Sequence, residues 1–115
     1  MAADPIELVF SLIGYPEETE WIEFKSNNDE PHRLAQDISA LANATAYHDH
    51  EYAYKLWGVE DSTHRLVGTS FNPQTRKVAG NQSLLRWLKV VLRNAIYEFI
   101  PAEYDGMSFV ILKIR

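Results

Sequence analysis

The chain has 115 residues, of which 46% are hydrophobic and 12% aromatic, and it carries a formal net charge of −5 with no cysteine. This length fits one domain with its own hydrophobic core. The lack of cysteine excludes disulfides, thiolate metal sites and thiol proteases, and it fits a cytoplasmic location. The sequence contains no signal-peptide pattern and no apolar run of membrane length. The acidic balance argues against a protein that coats DNA nonspecifically.

The first half of the chain predicts a helix, a strand and a second helix. Asp4, followed by proline, begins the first helix as an acidic cap, and Gly14 ends it. A strand is predicted over residues 20–25. The second helix begins at Glu30-Pro31 and ends near Thr45. Its predicted buried stripe is Leu34, Ile38, Leu41, Ala42 and Thr45, and its predicted solvent-facing residues are Arg33, Gln36 and Asp37.

The second half of the chain predicts a hairpin, a long helix and a final strand. The predicted elements are a strand over 52–59, a turn over 61–64, a returning strand over 66–71, a loop over 72–82, a helix over 83–99 and a strand over 107–114. Pro101 is expected to end the long helix. This order is typical of a two-layer α+β or mixed α/β domain, in which a small mixed sheet packs with about three helices.

The first strand contains an acid and a lysine two residues apart. Alternation places Ile22 and Phe24 on one face and Trp21, Glu23 and Lys25 on the other. A carboxylate and an ammonium so spaced can hold a divalent metal and steady a phosphate beside it, as in many nucleases. The alternative is an ion pair on a solvated strand, which the spacing alone favours.

Acidic residues cluster around this strand. They are Glu17, Glu18, Glu20 and Glu23, with Asp61 in the predicted hairpin turn. If the strand pairs near the hairpin, Asp61 could reach Glu23, and three carboxylates of this cluster would make a site for magnesium or manganese. The alternative is unpaired acid on the surface.

Basic residues cluster on the predicted long helix. Arg86, Lys89 and Arg93 are spaced three and four apart and share one helix face, and Arg76 and Lys77 lie in the preceding loop. A nucleic-acid backbone would be bound by such a stripe. The alternative is an ordinary solvated helix face.

A second metal pattern is short. Residues 48–51 read His-Asp-His-Glu, and two histidines with acids between them can hold zinc or nickel. No further ligand is signalled, so a surface loop is the favoured interpretation. The sequence lacks both a P-loop and a Gly-x-Ser-x-Gly nucleophile elbow, which excludes ATP binding and serine hydrolysis by those motifs.

Four blocks follow one another in a recognisable order. They are Glu18 to Lys25, Ile38 to Asn43, Gly58-Val59-Glu60-Asp61 and Leu66-Val67-Gly68. Together they resemble the Schlafen AlbA_2 domain, also called divergent AAA_4, from about Glu18 to the last strand. The family usually has Gly-Gly shortly after the second block, where this chain has the longer polar run 44–51.

The resemblance implies an α/β domain at the N-terminus of regulatory or helicase-like proteins, with nucleic-acid binding as the usual inferred role. In animal Schlafen proteins, two related lobes form a clamp that cleaves transfer RNA with three acids. By motif, those acids correspond to Glu18, Glu23 and Asp61, and Lys25 would neutralise the transition state.

Residues 1–115 are therefore expected to form one AlbA_2-like domain. Because the last strand runs to Arg115 without a closing loop, this domain is expected to be the N-terminal part of a longer protein. The leading hypothesis is a regulatory domain that binds DNA or RNA. No binding to a membrane is expected. The alternatives are a metal-dependent endoribonuclease and a dimerisation or sensor domain without a nucleic-acid role. A homodimer is predicted on three grounds: animal relatives join two such lobes in one chain, strand 107–114 would invite pairing if it lies at a sheet edge, and Trp57 and Trp87 add large apolar area. The alternative is that this strand is central and both tryptophans belong to the core.

Overall fold

The computed structural model describes residues 4–14, 22–27, 30–48, 51–92 and 94–115, with backbone only at 47, 48 and 79. In the described part of the chain, three α-helices and six strands are joined by loops and by a 3₁₀ turn at Ala79–Asn81. They are α1 (Pro5–Ile13), β1 (Ile22–Lys25), α2 (Pro31–His48), β2 (Ala53–Trp57), β3 (Lys77–Val78), β4 (Gln82–Ser83), α3 (Leu84–Val91), β5 (Tyr97–Tyr104) and β6 (Met107–Ile114).

Four strands form a mixed sheet in the order β1-β2-β6-β5, and β3 pairs with β4 as a separate ribbon. β1 and β2 are parallel, and β6 runs antiparallel to both β2 and β5. The C-terminal ends of β1, β2 and β5 therefore meet at one edge of the sheet, the carboxyl edge. Motifs that follow β1 and β2 in sequence are thereby brought close together.

Helices cover both faces of the sheet. Alternate residues of β6 enter two separate core clusters, so that Leu112 packs with α2 and α3 while Ile111 packs with α1. The predicted α+β class with a small mixed sheet and three helices is confirmed. The two-layer detail is wrong, because α1 adds a third layer.

The predicted starts of α1 and α2 are confirmed by the hydrogen bonds that cap these helices. The Asp4 carboxylate accepts a hydrogen bond from the backbone N–H of Ile6 at 3.2 Å. The Glu30 carboxylate accepts from the backbone N–H groups of His32 and Arg33 at 3.1 and 3.0 Å. α2 extends to His48 rather than ending near Thr45, because no glycine or proline interrupts it after Pro31.

The long helix predicted over 83–99 is wrong in its second half. α3 ends at Val91, and residues from Tyr97 onward form β5, which pairs along its whole length with β6. The apolar residues after Val91 fit either a helix face or a strand, and pairing with β6 decides for the strand. Pro101 lies inside β5, where it is tolerated because β5 is an edge strand.

The returning strand predicted over 66–71 is also wrong. Only one bridge forms, between Val59 and Leu66. The chain then crosses the carboxyl edge: the N–H groups of Val67 and Gly68 both donate to the carbonyl of Gly58, and that of Thr69 donates to the carbonyl of Ser108. Because the backbone N–H groups of residues 67–69 donate to carbonyls in two different parts of the chain, this segment does not form a continuous β-ladder with one strand.

The last strand has the predicted bounds, and it lies inside the sheet and not at its edge. A two-residue turn at Asp105 and Gly106, with φ of 52° and 76°, joins β5 to β6. β6 lies between β2 and β5 and is buried over most of its length. The sheet-edge position of strand 107–114, one ground for the predicted homodimer, is therefore not found, and the alternative of a central strand is confirmed.

Candidate functional site

The strand β1 presents its acid and its lysine on one face. Ile22 and Phe24 are buried in the cluster that includes α1. Glu23 and Lys25 are partly exposed and point to the opposite face by alternation. The prediction that Glu23 and Lys25 share one face of the strand is therefore confirmed.

A buried lysine lies next to Glu23. Lys55 of β2 is opposite Glu23 in the parallel register, and its side chain is 0% exposed. Its ammonium donates to the carboxylate of Asp37 in α2, and it lies 3.7 Å from Oε1 of Glu23. The ring of Trp57 is 5.4 Å from the same ammonium. A charge removed from water in this way is stable only with such partners.

The sequence reasoning missed this cluster. Asp37 was expected to face water, but its side chain is 21% exposed and binds Lys55. One signal was available: Lys55 stands at an inward position of an otherwise apolar strand, which requires a buried partner of opposite charge. Lys55 and Asp37 thus fasten α2 to the sheet beside Glu23.

Asp61 lies in the exposed turn that follows β2 at the carboxyl edge. The N–H of Gly58 donates to the carbonyl of Lys25 at 2.8 Å, which ties the beginning of this turn to the end of β1. The other end of the turn is anchored by His64, whose ring lies 4.4 Å from that of Phe24. Because Phe24 faces α1, His64 fixes this end of the turn on the α1 face of the sheet.

The three-acid site remains a prediction, because Glu18 lies outside the described residues, as do Glu17 and Glu20. Within the described ranges, no group of three or more His, Asp or Glu side chains could hold one metal ion. The His-Asp-His-Glu pattern stays untested for the same reason, since Asp49 and His50 and the side chain of His48 are not described.

The basic residues form an exposed surface around α3. Lys77 on β3 and Arg86 and Lys89 on α3 are exposed, and they are named here the basic surface. Leu84 and Leu88 are fully buried on the other side of the helix. Ser83 caps the helix by accepting from the N–H of Arg86 at 3.4 Å.

Two predicted members of the basic stripe differ from the others. Arg93 lies outside the described residues, so its position on a common face with Lys89 stays a prediction. Arg76 is partly buried beside the N-terminus of α2. The pKa of the Glu30 carboxyl is lowered chiefly by the N–H groups of His32 and Arg33, and the charge of Arg76 adds to that effect.

A groove runs along β5 beneath α3 and the 69–74 connection. It consists of two hollows of about 490 and 380 Å³ that share Gln74 and Phe99. We call it the β5 groove. Burial of Tyr97, which lines it, raises the pKa of the phenol. This groove could not be predicted from the sequence, because the pattern of residues 97–99 fits a helix as well as a strand.

Comparison with known proteins adds a family to this geometry. No curated protein matches the chain as a relative. Among the described residues, no helix has both the length and the apolar character needed to cross a membrane. The family model described as "Schlafen, AlbA_2" matches residues 18–115, which is most of the chain and contains every strand of the sheet. The chain therefore belongs to the Schlafen AlbA_2 family.

Proposed function

We propose that this chain is a nucleic-acid-binding domain of a regulatory protein. The observation that carries the proposal is the distribution of charge along the sequence. Residues 62–97 contain six of the eleven Lys and Arg residues and none of the sixteen Asp and Glu residues. An acidic chain that concentrates its cations in one segment suits a polyanion that is contacted locally.

The fold exposes part of that segment as one surface. Lys77 lies on β3, which pairs with β4 immediately before α3, and Arg86 and Lys89 lie on α3 itself. The helix contains no acidic residue that could neutralise them. Phosphate contacts of this kind supply affinity and position without base specificity.

The experiment is a salt titration of binding to a labelled oligonucleotide. The double variant Arg86→Ala with Lys89→Ala should bind more weakly, and the slope of log affinity against log salt should fall by about 0.7 to 0.9 for each lost contact. The matched control is Arg65→Ala, which removes an exposed arginine paired with Glu60 at the base of the Asp61 turn. Unchanged affinity and slope in the double variant would reject the proposal.

A second function is favoured by a separate observation, the shared face of Glu23 and Lys25 at the carboxyl edge. We propose as the alternative a metal-dependent endoribonuclease that uses Glu18, Glu23 and Asp61 to hold magnesium or manganese. Carboxylates suit such ions, which activate water when bound. Lys55 competes for Glu23, because its ammonium lies 3.7 Å from that carboxylate.

The test of the alternative is RNA cleavage with and without Mg²⁺ or Mn²⁺. Activity that needs the metal and is lost in both Glu23→Gln and Asp61→Asn would support it. Activity that survives either substitution, or that persists after the metal is chelated, would exclude this site.

A further inference from the structure

The floor of the β5 groove is built from alternate residues of one strand. Phe99 packs against the cluster on the α2–α3 face, whereas Ala102 packs against the cluster on the α1 face. Tyr97, Phe99 and Pro101 therefore share the groove side, and successive members are about 6.7 Å apart along the strand. The rings of Tyr97 and Phe99 meet edge to face, with centroids 6.2 Å apart and an interplanar angle of 82°, and both rings and Pro101 remain partly open to solvent.

We propose that the β5 groove binds a single-stranded nucleic acid, with unpaired bases stacked on Tyr97 and Phe99 and its phosphates beside Lys89 and Arg86. This inference deepens the proposed function and rests on it. Base stacking on exposed aromatic side chains next to a basic surface is the general means by which single strands are bound without strict sequence preference.

The spacing of the two rings favours a single strand over a duplex. Successive nucleotides in one strand of a stacked duplex are about 3.4 Å apart along the helix axis. This distance is half of the ~6.7 Å that separates residues Tyr97 and Phe99 along β5. Bases that reach both rings must therefore be separated from one another. The rings also line a groove beneath α3, and bases paired inside a duplex have their faces covered by their own neighbours.

The charges at the groove walls orient the strand. Lys89 lines the α3 side, and Glu103, which shares the groove side by alternation, lines the β5 side. Carboxylates repel phosphates, so the backbone would follow α3 and the bases would point toward β5. The polar side chains of Ser70, Asn72 and Gln74 in the same groove provide hydrogen-bonding groups for base edges.

The edge of β5 is unsuited to a polypeptide strand. The two-residue turn makes Tyr104 and Met107 a hydrogen-bonded pair, so the odd-numbered residues of β5 direct their backbone groups outward. The N–H of Arg115 donates to the carbonyl of Ile96 at 2.8 Å, which agrees with this register. Pro101, at an outward position in the middle of the edge, has no N–H to donate.

The experiment measures the affinity of the whole chain for a labelled single-stranded oligonucleotide and for its duplex. Tyr97→Ala should weaken single-strand binding about tenfold, because one stacked base is lost, and should leave duplex binding unchanged. Tyr97→Phe keeps the ring and should bind as the natural chain does. Tyr104→Ala is the matched control, since it removes a tyrosine from the same strand on the opposite face, where it packs against Phe10.

Each result has a defined meaning once circular dichroism shows that the variants are folded. If Tyr97→Ala binds single strands normally while the Arg86 and Lys89 double variant does not, the stacking inference is overturned and the proposed function stands. Equal weakening of single-strand and duplex binding by Tyr97→Ala also overturns it. If the double variant has no effect either, both proposals fail.

Discussion

At the scale of single residues, the buried charge of Lys55 makes the strongest demand on its neighbours. Asp37→Ala should destabilise the domain by about 3 kcal/mol, because it leaves the ammonium with Glu23 as its weaker partner. Lys55→Met fills the same space without charge and should cost less than about 1 kcal/mol, because the remaining Asp37 is in contact with water. Urea unfolding of both variants measures the difference, and equal losses would contradict this account.

A glycine at the carboxyl edge is required by close packing. Gly58 has a φ of +106°, and a Cβ there would lie 2.5 Å from Cδ1 of Phe109. Gly58→Ala should therefore destabilise the domain by about 3 kcal/mol through strain and overlap together. Gly80→Ala is the control, because Gly80 has a φ of +80° and open space around it. It should cost about 1 kcal/mol, from backbone strain alone. Similar thermal stability of the two variants would refute the packing argument.

The cap of α2 predicts a dependence of stability on pH. Backbone N–H groups of His32 and Arg33 hold the pKa of Glu30 below its ordinary value of 4.5. A lowered carboxyl pKa stabilises the fold above the unfolded value, and this stabilisation is lost as the pH falls through the folded value. Glu30→Gln should thus lower stability at pH 7 and flatten the decline toward pH 3. The control Glu103→Gln removes an exposed carboxylate without a cap and should keep the natural profile in denaturant titrations.

At the scale of elements, local signals predicted what local chemistry determines. The caps at Asp4 and Glu30 and the turn at Asp105-Gly106 are contained in a few adjacent residues, and the starts of α1, α2 and β6 beside them were predicted correctly. The strand β5 was missed because its identity depends on pairing with β6, not on its own pattern. The segment after Leu66 was taken for a strand because its hydrogen bonds to Gly58 and Ser108 are set by distant parts of the chain.

The candidate sites divide in the same way. Exposure of Arg86 and Lys89 followed from helical spacing, and the shared face of Glu23 and Lys25 followed from strand alternation. Neither helical spacing nor strand alternation could reveal that Asp37 contacts Lys55 or that Tyr97 and Phe99 line a groove. Those contacts join α2 to β2 and β5 to α3, and they exist only after the sheet is assembled.

At the scale of the whole molecule, the predicted homodimer has lost two of its structural motivations, whereas Trp87 is only partly buried. β6 is central, Trp57 is fully buried, and the exposed edge of β5 contains Pro101 at an outward position. The dimer remains a prediction that rests on the two-lobed arrangement of animal relatives. Sedimentation over rising concentration tests it: a shift toward twice the mass of the chain is the predicted result, and monomer mass up to high micromolar concentration would reject it.

The central claim, that nucleic acid binds across α3 and β5, is tested most directly by mapping amide chemical shifts of the labelled domain during titration with a single-stranded oligonucleotide. The account predicts the largest changes at residues 86–89 and 97–101, with smaller changes near Lys77. Changes confined to residues 23–25 and 60–65 would place the ligand at the acidic site instead. That result, or the absence of any saturable change, would contradict the account.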